Sequence, residues 1–129
     1  MRMETAWLEA QQGLPFKAQP LTICAYEVDC DFVLDLTDTD VRARQGLSVA
    51  DLSCAWEDLV DHGQNPPSWR LAEDLMAAGV SAIIVPSFAP GADAGDQNVV
   101  FWRWSPELPC RVTVIDDEGR LPRDVSSWS

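Results

Sequence analysis

The sequence predicts one mixed domain of helices and short strands, an α/β or α+β arrangement. Three observations carry that prediction. The chain has 129 residues, enough for one core and too few for two. Apolar residues make up 47% of it and its charges are dispersed, which separates it from disordered chains. Finally, a capped helical stretch ends at Gly79 and gives way to a short apolar run, Ser81-Ala82-Ile83-Ile84-Val85. Such a run after a helix reads as a strand buried on both faces.

The elements follow in order. Thr5 to Gln12 reads as a helix, with Thr5 as cap and Gly13 and Pro15 as its stop. Leu21 to Val28 reads as a strand between Pro20 and the acidic Asp29-Cys30-Asp31. Phe32 to Leu36 is a second extended piece, closed by Asp38 and Asp40. Asp40 is expected to cap a short helix through Arg44, which Gly46 stops. Ser48 caps another, continuing with a break through Trp56-Glu57-Asp58-Leu59-Val60 to His62-Gly63. The clearest helix follows the breaker pair Pro66-Pro67, with Ser68 as cap, Leu71, Leu75 and Met76 on one face, and Gly79 as stop. After the buried run comes a loop from Ser87 to Gln97, then strands at Val99–Trp102 and Arg111–Ile115. Residues 1–129 form a single domain, with a loosely ordered tail over 124–129.

Composition excludes several functions. Nine Lys and Arg stand against 21 Asp and Glu, a net charge of −12, with Lys17 the sole lysine. Neutralising nucleic-acid phosphates or an anionic membrane surface needs clustered cations, so direct binding to either is not expected. No apolar run approaches the ~20 residues a spanning helix needs, and the Met1-Arg2-Met3-Glu4-Thr5 start lacks a signal-peptide core. A cytoplasmic protein is expected. Cys24, Cys30, Cys54 and Cys110 show no C-x-x-C spacing, and His62 is the lone histidine. The expectation is free thiols in a reducing compartment and no metal site.

Familiar catalytic motifs are missing. There is no phosphate-binding P-loop and no G-x-G-x-x-G. Ser87 lacks the flanking glycines of a nucleophile elbow, and adjacent Asp61 and His62 are poorly placed to complete a triad with it. Asp93-Ala94-Gly95-Asp96 lacks calcium-loop spacing and reads as a solvated turn. Two polar positions remain. Ser87 directly follows the buried strand, where α/β folds place ligand sites; its plain alternative is a hydroxyl accepting from the backbone two residues on. Glu9 lies mid-helix among Trp7, Leu8 and Ala10; its plain alternative is an exposed helix carboxylate.

Glu9 in Glu4-Thr5-Ala6-Trp7-Leu8-Glu9-Ala10 resembles the glutamate motif of the RES domain. Pro66-Pro67-Ser68-Trp69, Ala77-Ala78-Gly79, Ile83-Ile84-Val85-Pro86-Ser87-Phe88 and Asn98-Val99-Val100-Phe101-Trp102 follow in that family's order. The family is named for an arginine, a glutamate and a serine. By this resemblance Glu9 matches the glutamate, Ser87 the serine, and Asn98 a polar position after the serine loop. The family's arginine sits upstream in a Gly-Gly-Arg-Trp-Asn-like segment, followed by a tyrosine; neither has a counterpart here, and Arg2 is too close to Glu9 to be that arginine. The expectation is a RES domain shortened at its N-terminus, with a misplaced start codon as the alternative.

The resemblance implies an ADP-ribosyltransferase-like fold and a toxin of a bacterial toxin–antitoxin pair. NAD would be the substrate, with no resident cofactor, and a DNA-binding antitoxin would be the partner. It implies that Glu9 and Ser87 are catalytic and that Ser87 and Asn98 contact NAD. A fixed carboxylate at Glu9 would stabilise the oxocarbenium-like ribose formed as nicotinamide leaves. Ser87 would orient the nicotinamide end, and Asn98 would support the serine loop. A lost arginine–phosphate contact, worth about 1.5–3 kcal/mol, predicts weak or absent turnover, unless Lys17, Arg44, Arg70 or Arg103 substitutes. The competing expectation is a non-catalytic interaction protein that keeps the antitoxin-binding surface. Six tryptophans, with Trp104 and Trp128 expected at the surface, are the feature behind it. Uncovered sheet edges predict self-association.

Overall fold

The computed structural model describes residues 2–11, 22–53, 63, 67–124 and 126. The arrangement is α+β, with two small sheets. Helix α1 spans Met3–Gln11, strand β1 Ala25–Cys30 and strand β2 Val33–Asp35. Helices α2 (Thr39–Arg44), α3 (Val49–Leu52) and α4 (Pro67–Ala77) come next, then strands β3 (Ala82–Pro86), β4 (Gln97–Phe101) and β5 (Cys110–Ile115). The expected helical continuation through Trp56 to His62, the stops Gly13 and Pro15, and most of the tail lie outside the described residues.

Strands β2, β3 and β4 form one sheet in that order, β2 parallel to β3 and β4 antiparallel to it. A parallel pair needs a long crossover, and the chain uses the stretch containing α2, α3 and α4. That crossover builds the core. Leu36, Leu75 and Ile83 are buried together, with Leu34, Leu47, Leu71, Val85 and Trp102 packed around them. Strands β1 and β5 form a second, antiparallel sheet.

Local chemistry accounts for the element ends. Asp38, rather than the expected Asp40, caps α2, accepting from the N–H groups of Asp40 and Val41 at 2.8 and 3.1 Å. Both aspartates are good caps; the one in extended backbone has the geometry for it. Ser48 caps α3 through a capping box with Asp51. Helix α4 starts at Pro67, so Ser68 is its second residue and not its cap. It ends where Val80 donates to Leu75 and Gly79 to Met76, the paired bonds of a Schellman stop, with Gly79 at φ +87°. Met76, expected on the apolar face, is 37% exposed.

The strands also shift from expectation. Strand β3 is buried only at Ala82 and Ile83 and half-buried from Ile84 onward. Strand β1 takes in Asp29 and Cys30, which its hydrophobic pattern had excluded. Cross-strand chemistry holds them: Asp29 faces Arg111, which it binds at 3.3 Å, and Cys30 faces Cys110. Cys30 and Cys110 form a disulfide, which corrects the expectation of free thiols at these two positions. The antiparallel register brings them opposite each other although 80 positions separate them. Cys24 is free and half-buried, and Cys54 lies outside the described residues. Cysteine usage therefore gives no argument for a reducing compartment. No helix among the described residues is long and apolar enough to cross a membrane.

Candidate functional site

Three elements bring Glu9, Ser87 and Asn98 to one point. In the β3–β4 ladder Asn98 pairs with Val85. Side chains alternate along a strand, so Ser87, two positions beyond Val85, emerges on the same face as Asn98. Ser87 is fixed at the strand end by its own N–H, which donates to the Asp96 carbonyl at 2.8 Å. Helix α1 lies over this face and supplies the carboxylate. The Ser87 hydroxyl donates to Glu9 Oε1 at 2.5 Å, and Asn98 Nδ2 donates to the same oxygen. All three residues are half-buried.

Glu9 is thus no solvated helix carboxylate. The plain alternative for Ser87 holds alongside the longer-range bond: the Ala89 N–H also donates to Ser87 Oγ, at 3.4 Å. Glu9 Oε2 accepts from no described residue, and no described cation pairs with Glu9. Arg44, Arg70 and Arg103 make no hydrogen bond or ion pair to Glu9, Ser87 or Asn98, and Lys17 lies outside the described residues. Among the described residues no group of three or more His, Cys, Asp or Glu could hold a metal ion.

The far end of α1 carries an arrangement the sequence reading missed. Arg2 makes a forked pair with Asp96, Nε to Oδ1 at 2.8 Å and Nη2 to Oδ2 at 2.9 Å. Its Nη2 also reaches Asp93 Oδ2 at 3.2 Å. Asp96 is only 5% exposed, so the last residue of the expected solvated turn is in fact buried. The Arg2 bonds, then the Asp93 N–H, pull the Asp96 carboxyl down to about 2. The fully buried Thr5 lowers it slightly further, without reaching full hydrogen-bond geometry. Thr5 lies inside α1 and does not cap it, because the helix already begins at Met3. Between the two ends, Leu8 packs on Gly91, where an added Cβ would meet Leu8 Cδ2 at 3.5 Å.

A sizeable cavity lies elsewhere. It measures about 750 Å³ and sits on the β1–β5 sheet, lined by Cys24, Tyr26, Trp104, Val112, Val114 and Leu121 among others. A smaller cleft of about 340 Å³ is bordered by Arg2, Asp93, Gly95, Asp96 and Gln97, beside the start of β4. Convergent polar groups locate the candidate chemistry better than cavity size does, because an apolar hollow offers nothing to stabilise developing charge.

An α+β domain that gathers a carboxylate, a hydroxyl and a carboxamide from a helix, a strand end and the adjoining strand has the makings of a compact polar site. The sequence model of the RES domain matches residues 1–124, and the chain belongs to that family. Members of the family are commonly the toxins of toxin–antitoxin pairs. No curated protein and no solved structure matches the chain.

Proposed function

We propose that the protein is the toxin of a toxin–antitoxin pair and that it cleaves NAD between nicotinamide and ribose. The observation that supports this most is the meeting of Ser87 and Asn98 on one oxygen of Glu9, in a RES domain. In the proposed reaction the bond from ribose C1′ to nicotinamide breaks and its electron pair leaves with nicotinamide. Positive charge spreads over C1′ and the ring oxygen, and the Glu9 carboxylate stabilises it. Oε2, which accepts from no described residue, takes a ribose hydroxyl. Ser87 has a single proton, already given to Glu9, so toward the nicotinamide carboxamide it acts as an acceptor. Asn98 holds Glu9 and the serine loop in register. Water, phosphate or a protein side chain then bonds to C1′ and gives up its proton. NAD enters as substrate, and the reaction invokes no resident cofactor or metal. A DNA-binding antitoxin is the proposed partner, covering the site.

Turnover by these 129 residues is proposed to be weak. NAD is an anion, this chain carries a net charge of −12, and no described arginine makes an ion pair with Glu9. Nicotinamide release by the purified protein tests the reading. Glu9→Gln is expected to lower the rate about 10²-fold or more, the usual scale for removing a preorganised charge-stabilising group. Equal rates for the native protein and Glu9→Gln would overturn it.

A second reading has its own observation. Tyr26, Val28, Val114 and Trp104, on or beside the β1–β5 sheet, are 47–64% exposed. Apolar side chains so placed suit a protein-binding face, and hence a non-catalytic interaction protein or one that self-associates. Capture of the neighbouring-gene product without any NAD loss would favour it, and a monomer at high concentration would remove self-association.

A further inference from the structure

Among the described residues, the contacts that place Glu9 are made by side chains. Among the described residues no backbone hydrogen bond joins α1 to another element. Its anchors fall on one helical stripe. Arg2, Thr5 and Glu9 are spaced i, i+3 and i+7, which places them on one face over about 10 Å. Along that face Arg2 forks onto Asp96, Thr5 is buried, and Glu9 meets Ser87 and Asn98.

Asp96 belongs to both sides of this contact. Its carboxylate holds Arg2, while its backbone carbonyl accepts the Ser87 N–H at 2.8 Å. Asn98 is two residues further on, in β4. The carboxylate is itself fixed, because Oδ2 also accepts from the Asp93 N–H at 2.9 Å. One buried residue therefore links the start of the helix that carries Glu9 to the two groups that receive it. A forked guanidinium–carboxylate pair fixes direction as well as distance, and without it α1 is left to pivot about the Glu9 contact, which tilts the carboxylate against Ser87 and Asn98.

We propose that Asp96, acting through Arg2, is a positioning residue that sets the Glu9 carboxylate against Ser87 and Asn98; the catalytic half of this rests on the function proposed above. Misplacing a reacting group by about 1 Å costs about 10²-fold in rate. Asp96→Asn keeps the side chain's size and removes its charge, and should lower kcat for NAD by about 10- to 100-fold.

The test is a double-mutant cycle with Glu9→Gln on the full chain, read by nicotinamide release and by amide hydrogen exchange. If Asp96 acts through Glu9, Asp96→Asn lowers kcat in the native background and has little further effect once Glu9 is Gln. Exchange should quicken in α1 and stay unchanged in β3 and β4. Arg2 is half-exposed, and Arg2→Lys and Arg2→Gln provide a graded check, with Lys expected to retain part of the rate and the protection. Equal losses of kcat in both Glu9 backgrounds would overturn the proposal. So would unchanged exchange in α1, or faster exchange throughout the sheet. If the native protein releases no nicotinamide, the NAD reading fails, and exchange in α1 still decides whether Asp96 positions the helix.

Discussion

Reducing the Cys30–Cys110 disulfide should destabilise the protein strongly without touching its core. The bond ties β1 to β5 across a separation of 80 residues, a span that contains β2, β3, β4, Ser87 and Asn98. In the chain-entropy account a closed loop of that length restricts the denatured chain by about 4.5 kcal/mol. Residual structure in the reduced denatured chain subtracts from this, leaving about 2–4 kcal/mol. For a chain of this length a loss of 1 kcal/mol lowers Tm by about 4 °C, so Tm should fall by roughly 8–16 °C on reduction. The assay is thermal unfolding by circular dichroism with and without a phosphine reductant, beside a Cys30→Ala/Cys110→Ala variant. Alkylation and peptide mass analysis confirm the thiol state of each sample. An unchanged Tm in a sample whose Cys30 and Cys110 are both alkylated would mean that the cross-link contributes nothing to stability.

Three other perturbations probe separate parts of the molecule. The Asp96 carboxyl is lowered to about 2 by Arg2, so its stabilising contribution is complete above the ordinary value of 3.8 and is lost as pH falls through about 2. Protection of α1 relative to intrinsic amide exchange at each pH should therefore fall between about pH 4 and pH 2, and an α1 equally protected throughout would contradict this. Gly91 has φ +88°, and a Cβ there would come to rest against Leu8, so Gly91→Ala should cost about 1–2 kcal/mol for backbone strain. Gly91→Val should also push Leu8 and α1 outward, which proteolysis near the N-terminus would detect. Leu36 is fully buried against Leu75 and Ile83, and Leu36→Ala should lose about 3–5 kcal/mol in urea unfolding.

Sequence patterns reached the elements whose causes are local. The Pro67–Ala77 helix, its Gly79 stop, the apolar run at Ala82–Val85 and the Ser48 cap all rest on residues within a few positions of one another. Glu9, Ser87 and Asn98 stood out through motif order, and their meeting is a matter of register and helix placement that no local pattern encodes. The missed features all join distant parts of the chain. Cys30 and Cys110 are 80 positions apart, and Arg2 and Asp96 are 94. Asp96 read as a solvated turn residue because Asp and Gly neighbours mark turns; only the arrival of Arg2 makes its burial affordable. Strand β1 extended past its apolar run for the same reason, since Asp29 and Cys30 find partners in β5.

A crystal structure of the protein soaked with ADP-ribose tests most directly whether Glu9 receives the ribose. The expected density places a ribose hydroxyl within hydrogen-bond distance of Glu9 Oε2, with Ser87 and Asn98 still on Oε1. A nucleotide bound in the cavity on the β1–β5 sheet, with Glu9 untouched, would contradict this placement.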